Sequence, residues 1–196
     1  MDRIRFVVAA ALAVMSLALG SGARADWTLD AASSSVSFVS VKNAAVAESH
    51  YFTGLSGRVS RSGEATLVLD MSAFETLIPI RNERMVEHLF EPSRFPSATV
   101  TVEVPLAELR KMKRGASTLR DLSGTLSLHG ATADIAASVI ITRVGRNAFM
   151  VASQRPVIVN AAQFGLGDGI EKLREIAGLV SIAPSVPVSF SLVYRR

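Results

Sequence analysis

Residues 97–104 read Ser-Ala-Thr-Val-Thr-Val-Glu-Val. In an extended chain Ala98, Val100, Val102 and Val104 point one way and Thr99, Thr101 and Glu103 the other, the period-two pattern of a strand with one buried face. Val186 to Tyr194 repeats it, with Val186, Val188, Phe190, Leu192 and Tyr194 set against Pro187, Ser189 and Ser191. Ala65, Leu67 and Leu69 alternate with Thr66, Val68 and Asp70. Weaker versions run over Ser35–Val41, Phe52–Ser60, Thr125–Leu128, Ala133–Arg143, Ala148–Ala152 and Val157–Asn160. Eight or nine such runs predict an all-β domain, enough strands for a closed barrel or a sandwich.

The connections fit an antiparallel meander. Arg61-Ser62-Gly63 and Val144-Gly145-Arg146-Asn147 are short, turn-prone links between neighbouring strands. Two segments break the β pattern. Ile80 to Phe90 has helical spacing, with Val86, Leu89 and Phe90 near one stripe and Pro92 and Pro96 beyond it. Ile170 to Ala177 places Ile170, Leu173, Ile176 and Ala177 at helical spacing, with Gly178 as a stop. No repeat or linker divides the chain.

The first 25 of the 196 residues stand apart. Arg3 and Arg5 precede an uncharged apolar run, Phe6 to Leu19, which is short for a membrane span. Gly20 to Gly22 break the run, and Ala23-Arg24-Ala25 supplies the small-x-small pattern of a signal-peptidase site. The expectation is an export signal cleaved after Ala25, leaving one domain over 26–196. Removing Arg3, Arg5, Arg24 and Asp2 leaves 18 basic and 16 acidic residues, a net of +2. That is too even for nucleic-acid binding, and Arg110-Lys111-Met112-Lys113-Arg114 reads as a solvated turn or helix end. The aromatic residues fall among apolar neighbours and not among basic ones, which also argues against a nucleic-acid partner. The chain has no cysteine, so disulfides, thiol chemistry and lipid attachment at a cysteine are all excluded. No apolar run after residue 25 is long enough to span a bilayer.

Catalytic motifs fail on spacing. His50, His88 and His129 are scattered, with no partner at metal-ligand intervals, so no metal is expected. Gly54-Leu55-Ser56-Gly57 is one residue short of a nucleophile elbow, and its glycines suit a bent barrel strand. Gly165, Gly167 and Gly169 have the wrong interval for a dinucleotide loop and read as a tight turn into a helix. The sequence is not that of an enzyme.

Taken together, Trp27-Thr28-Leu29-Asp30, Ser35-Val36-Ser37-Phe38, Phe52-Thr53-Gly54-Leu55-Ser56-Gly57, Ile80-Arg81-Asn82-Glu83-Arg84, Leu89-Phe90-Glu91, Phe95-Pro96-Ser97-Ala98, Leu126-Ser127-Leu128-His129-Gly130 and Val186-Pro187-Val188-Ser189-Phe190 resemble, in order and spacing, the YceI-like family. The resemblance covers most of the chain after residue 25. It implies a lipocalin-like antiparallel β-barrel of about eight strands with one or two short helices. It also implies a periplasmic location and an interior that holds an isoprenoid lipid, of quinone or polyprenyl type, as ligand and not as a catalytic cofactor. Lys42-Asn43 departs from the Lys-His pair that family members often carry.

Under that resemblance the apolar lining falls to Phe38, Phe52, Leu67, Leu69, Phe74, Leu89, Phe90, Val100, Val102 and Phe190. Arg81, Arg84 and His88, at i, i+3 and i+7 of one helix, would stand at the barrel mouth, either meeting a polar headgroup or pairing with Glu83 and Glu87. Alternation puts the apolar residues inside but does not distinguish a cavity from a filled core. A filled barrel would instead be an accessory protein acting through protein contacts. In an open barrel the last strand would be a free edge and a route to a homodimer.

Overall fold

The structure is a computed structural model that describes residues 27–196. The expected leader, 1–25, lies outside the described residues. Strands β1 (Trp27–Leu29), β2 (Ser35–Lys42), β3 (Val46–Phe52), β4 (Leu55–Val59), β5 (Glu64–Asp70) and β6 (Phe74–Glu75) lead to helix α1 (Pro79–Met85). After it come β7 (Ser97–Glu103), helix α2 (Leu106–Leu109), β8 (Ser117–Leu128), β9 (Ala131–Gly145), β10 (Ala148–Ser153), β11 (Val157–Asn160), helix α3 (Gly167–Ile176) and β12 (Ser185–Arg195).

Every ladder is antiparallel, and short interruptions turn pairs of strands into single bent staves. The 3-10 turn Ala31–Ser33 separates β1 from β2, whose partners β4 and β3 are likewise one chain bent at Thr53-Gly54. Strands β5 and β6 continue the third stave, and β10 and β11 form the seventh. Counted this way, eight staves run up and down in sequence order. The barrel closes because β12 pairs with β10 and β11 on one edge and with β2 and β1 on the other. The last strand is thus paired on both sides and is not the free edge that an open barrel would have offered for a dimer contact.

The barrel's two ends are built differently. At one end α2 turns Leu106 and Leu109 inward, where they are buried with Trp27 and Phe149. The Trp27 and Phe149 rings meet edge-on at 5.0 Å, within the range favoured for aromatic pairs. Arg143 ties the loops outside this plug: its guanidinium donates to the carbonyls of Arg110 at 2.8 Å, Met112 at 2.6 Å and Arg146 at 3.0 Å. Met112 is half-buried against the core while Lys111, Lys113 and Arg114 are exposed, so the basic run is a solvated turn. Gly57 is needed near this end, because a Cβ there would lie 2.6 Å from the Thr66 carbonyl oxygen and 3.2 Å from the Tyr194 hydroxyl.

At the other end α1 continues into one π-helical turn over Val86–Phe90. The Glu91 N–H reaches the Val86 carbonyl, five residues back, at 3.1 Å, and Glu91 ends the helix in the left-handed region at φ 43°. Helix α3 packs across this turn. Gly169 permits the contact, since a Cβ there would lie 2.4 Å from the His88 carbonyl oxygen. The glycine series read as a loop-to-helix turn does start α3 at Gly167.

Besides the short β1 and β6, residues 46–51 of β3 and residues 117–124 of β8 have no counterpart in the sequence reading. In both the inward positions are mostly not apolar. Glu48 and His50 face in from β3, and Thr118, Arg120 and Gly124 share the inward parity of β8 with Leu122 and Leu126. With so few apolar residues on the inner face, the period-two signal vanishes.

Candidate functional site

The barrel encloses a cavity of about 590 Å³, within the 300–1,000 Å³ typical of small-molecule sites. Its wall draws on every stave and is overwhelmingly aliphatic and aromatic. Smaller apolar cavities in proteins stay dry, so a chain of hydrocarbon is a better occupant than water. Eleven of the thirteen residues expected at the site line this cavity: Phe38, Phe52, Leu67, Leu69, Arg81, Arg84, Leu89, Phe90, Val100, Val102 and Phe190. Phe74 lies behind the wall, its ring 6.4 Å from Phe52 and 5.2 Å from Phe90. His88 is also off the lining and sits 3.7 Å from the Glu87 carboxylate. The π turn accounts for this placement: its i→i+5 bonding rotates His88 away from the face that carries Arg81 and Arg84.

The cavity is stopped at the Trp27 end by buried Trp27, Leu106, Leu109 and Phe149. It opens at the opposite end, where lining residues Ile78 and Ile80 are 41% and 50% exposed. Leu77 and Val180 extend this apolar lip into solvent, at 75% and 85% exposure.

A polar group stands just inside the mouth, and most of it was invisible in the sequence. Ser40, Lys42, Glu48 and His50, from the inner faces of β2 and β3, line the cavity beside Arg81. One Glu48 oxygen accepts from Lys42 Nζ at 2.8 Å and Arg81 Nη1 at 2.9 Å. The Lys42 ammonium, with Arg81 behind it, holds the Glu48 carboxyl below the usual carboxylate range. Arg81 Nη2 donates to the Thr76 carbonyl oxygen, which fixes the guanidinium plane and leaves the buried Nε without a partner.

His50 is only 2% exposed. Its Nε2 lies 2.8 Å from Ser40 Oγ, and its buried Nδ1 has no partner. Burial pushes the imidazole pKa down, and the Arg81 charge pushes it the same way, so the ring is neutral near pH 7. Ser40 and His50 are a hydroxyl–imidazole pair without the carboxylate that would orient a catalytic base. Asn43, at the position where family members often carry a histidine, faces elsewhere. It adopts φ 52°, and its Oδ1 accepts from the Val180 N–H at 2.9 Å, stapling the β2–β3 turn to the segment that carries Val180. Among the described residues no group of three His, Asp or Glu side chains is placed to hold a metal ion, and no helix is long and apolar enough to cross a membrane.

A closed up-and-down barrel with a one-ended apolar cavity and a polar collar defines a lipocalin-like binding barrel. Residues 27–194 match the model of the YceI-like domain, and the chain belongs to that family. It is similar to a solved polyisoprenoid binding domain from Saccharophagus degradans, implicated in plant cell wall breakdown. Identity is 41% over 88% of this chain and 99% of that one, with a TM-score of 0.86. Two more distant structures share the fold: BcnA of Burkholderia cenocepacia, at 20% identity over 84% of this chain and 98% of that one, TM-score 0.66, and a mutant CJ YCEI protein carrying a monobromobimane guest, at 12% identity over 75% and 84%, TM-score 0.52. No curated protein matched the sequence.

Proposed function

We propose that this protein is a binding protein, without catalysis, that sequesters or carries an isoprenoid lipid, with the chain along the barrel axis and the headgroup at the polar collar. The observation that carries this reading is the apolar cavity itself, since a barrel packed solid with Phe and Leu would have pointed to an accessory protein working through its surface. The 41%-identical neighbour that binds polyisoprenoid supports the ligand class. Phe38, Phe52, Leu67, Leu69, Leu89, Phe90, Val100, Val102 and Phe190 are the proposed chain contacts, with Phe74 supporting them from behind. Arg81 and Arg84 are the proposed contacts at the mouth. Export after Ala25 places the protein in the periplasm, with no nucleic-acid partner.

Energetics favour a long ligand. An isoprene unit offers about five carbons, and burial at ~0.8 kcal/mol per methylene gives roughly 4 kcal/mol gross per unit. Association costs about 4–15 kcal/mol, so several units are needed before binding is tight, and affinity should climb with chain length. Native mass spectrometry of the mature protein purified from its periplasm, followed by organic extraction, tests this directly. A released prenylated lipid is the expected result. A clean apo mass, unchanged after incubation with quinones and polyprenyl phosphates, would refute it.

A further inference from the structure

We propose that the apolar lip at the cavity mouth is a docking surface for the lipid–water interface of a bilayer, on which the barrel sits while it loads and unloads cargo. The inference rests on the lipid-binding reading and names the surface on which that binding takes place. Its basis is where charge stops. Residues 43–47 around the β2–β3 turn, residues 76–80 at the start of α1 and residues 177–184 between α3 and β12 contain no Asp, Glu, Lys, Arg or His. The three segments adjoin one another at the open end. The Asn43 N–H donates to the Ser181 carbonyl at 2.9 Å, and Arg81, next after the second segment, holds Glu48, next after the first, at 2.9 Å. Of the ten large apolar side chains that stand exposed among the described residues, five fall in these short segments: Val46, Leu77, Ile78, Ile80 and Val180. An exposed Leu taken singly is ordinary, but a contiguous group marks an interaction surface. The turns of the closed end read the other way, with Arg61, Arg110, Lys111, Lys113, Arg114 and Arg146 on them.

The lip is held in place by polar side chains. Glu75 accepts from the Leu77 N–H and from Asn82 Nδ2, and Asn82 Oδ1 accepts from the Thr76 N–H at 3.1 Å. This network keeps Leu77 at φ +65° with its side chain in solvent. Asn43 Oδ1 fixes the Val180 N–H in the same way. The two most exposed side chains of the lip therefore stand on fixed backbone, and little ordering remains to be done on docking. The occupant follows from continuity with the cavity. Ile78, Ile80, Leu179 and Ile182 belong both to the lip segments and to the cavity wall, so a protein or a second copy seated here would stopper the barrel. A bilayer covers the same side chains and leaves the mouth open to hydrocarbon, where an apolar cargo resides. Interfacial segments of this kind bury their apolar face about 5–10 Å into the headgroup–acyl boundary. The charged residues that bound the first two segments, Lys42 and Glu48, Glu75 and Arg81, are of both signs, which suits zwitterionic headgroups and requires no anionic lipid.

The experiment is flotation of the mature protein with phosphatidylcholine vesicles. Wild type should float with them at high salt as at low, because the lip segments carry no charge. Leu77→Ser and Val180→Ser should each lower the partition by about tenfold, the size of burying one aliphatic side chain. Both positions are exposed, so the melting temperature should barely move. Ile158→Ser is the control: Ile158 is 61% exposed but lies on the outer face of β11, between Val157 and Val159 of the cavity wall, and the variant should float like wild type. Uptake of an isoprenoid quinone from donor vesicles should slow in step with the partition. Flotation that ignores both lip variants, or falls as far with Ile158→Ser, would overturn the docking surface. Flotation that needs phosphatidylglycerol and vanishes at high salt would place the membrane at the basic run 110–114 of the closed end and overturn it too. A concentration-dependent dimer that Val180→Ser dissociates, without flotation, would make a second copy the occupant instead. A protein that releases a prenylated lipid on extraction but never floats sinks the docking surface alone. One that floats through its lip yet takes up no isoprenoid keeps the docking surface and sinks the lipid-binding reading.

Discussion

The two ends of this barrel solve opposite problems with the same strands. At the closed end the inward positions are filled by large side chains that touch one another, Trp27 on Phe149 at 5.0 Å, and one guanidinium gathers the outer loops by their carbonyls. At the open end the inward positions of β2 and β3 turn polar, with Lys42, Glu48 and His50 on the cavity wall, and aliphatic side chains stand in solvent. The first arrangement is what stability alone would select. The second sets charged groups against an apolar cavity and aliphatic side chains against water, and such departures from ordinary packing concentrate where a protein binds something.

The contrast breaks most plainly at the plug. Trp27→Ala removes a 4%-exposed ring from a fully packed layer and should cost about 3–5 kcal/mol, read as the shift in a urea unfolding midpoint. A loss below about 1 kcal/mol would mean that the closed end is as loosely filled as the mouth. Gly169→Ala attacks the cover of the open end, because the new Cβ would sit 2.4 Å from the His88 carbonyl oxygen and must push α3 off the π turn. The expected cost is about 1–3 kcal/mol, with a faster off-rate for any bound lipid. Unchanged ligand release would show that α3 does not help to cover the mouth.

These two positions also show what the sequence carries. Trp27 opens a stretch whose resemblance to the family is readable, and alternation assigns most of the lining, because strands with one apolar face announce themselves in period two. Gly169 reads correctly as the entry to a helix, but its reason is a backbone 81 residues earlier, which no local pattern contains. His50 reads in the sequence as one of three scattered histidines. It sits on the inner face two residues from Glu48 and two from Phe52, but a strand whose inner face is half polar has no hydrophobic period to reveal it. The collar is hidden because polar residues occupy its inner face.

Leu77 sharpens the comparison from the side of the backbone. It is 75% exposed and holds φ at +65°, a conformation that is costly for a residue with a Cβ. Leu77→Gly relieves the strain and removes only exposed surface, so it should stabilise the protein by up to about 1 kcal/mol while trimming the apolar lip. A gain in melting temperature together with slower lipid uptake would mark Leu77 as kept for the ligand's entry. A loss of stability would mean that the lip is structural after all.

The smallest effects separate the ends by pH. His50, at the mouth, has a folded-state pKa below its ordinary 6.5 because burial disfavours the imidazolium. As pH falls below about 6.5 the unfolded chain takes up a proton that the folded one refuses, so stability declines. Tyr194, near the closed end, is pushed up to about 12 by burial. Above about pH 10 the unfolded chain loses a proton that the folded one keeps, so stability declines there as well. His50→Phe should flatten the acid slope of melting temperature between about pH 7 and 5 and leave the alkaline slope alone. Tyr194→Phe should do the reverse, at little other cost, since its hydroxyl reaches the Thr66 carbonyl only at 3.5 Å.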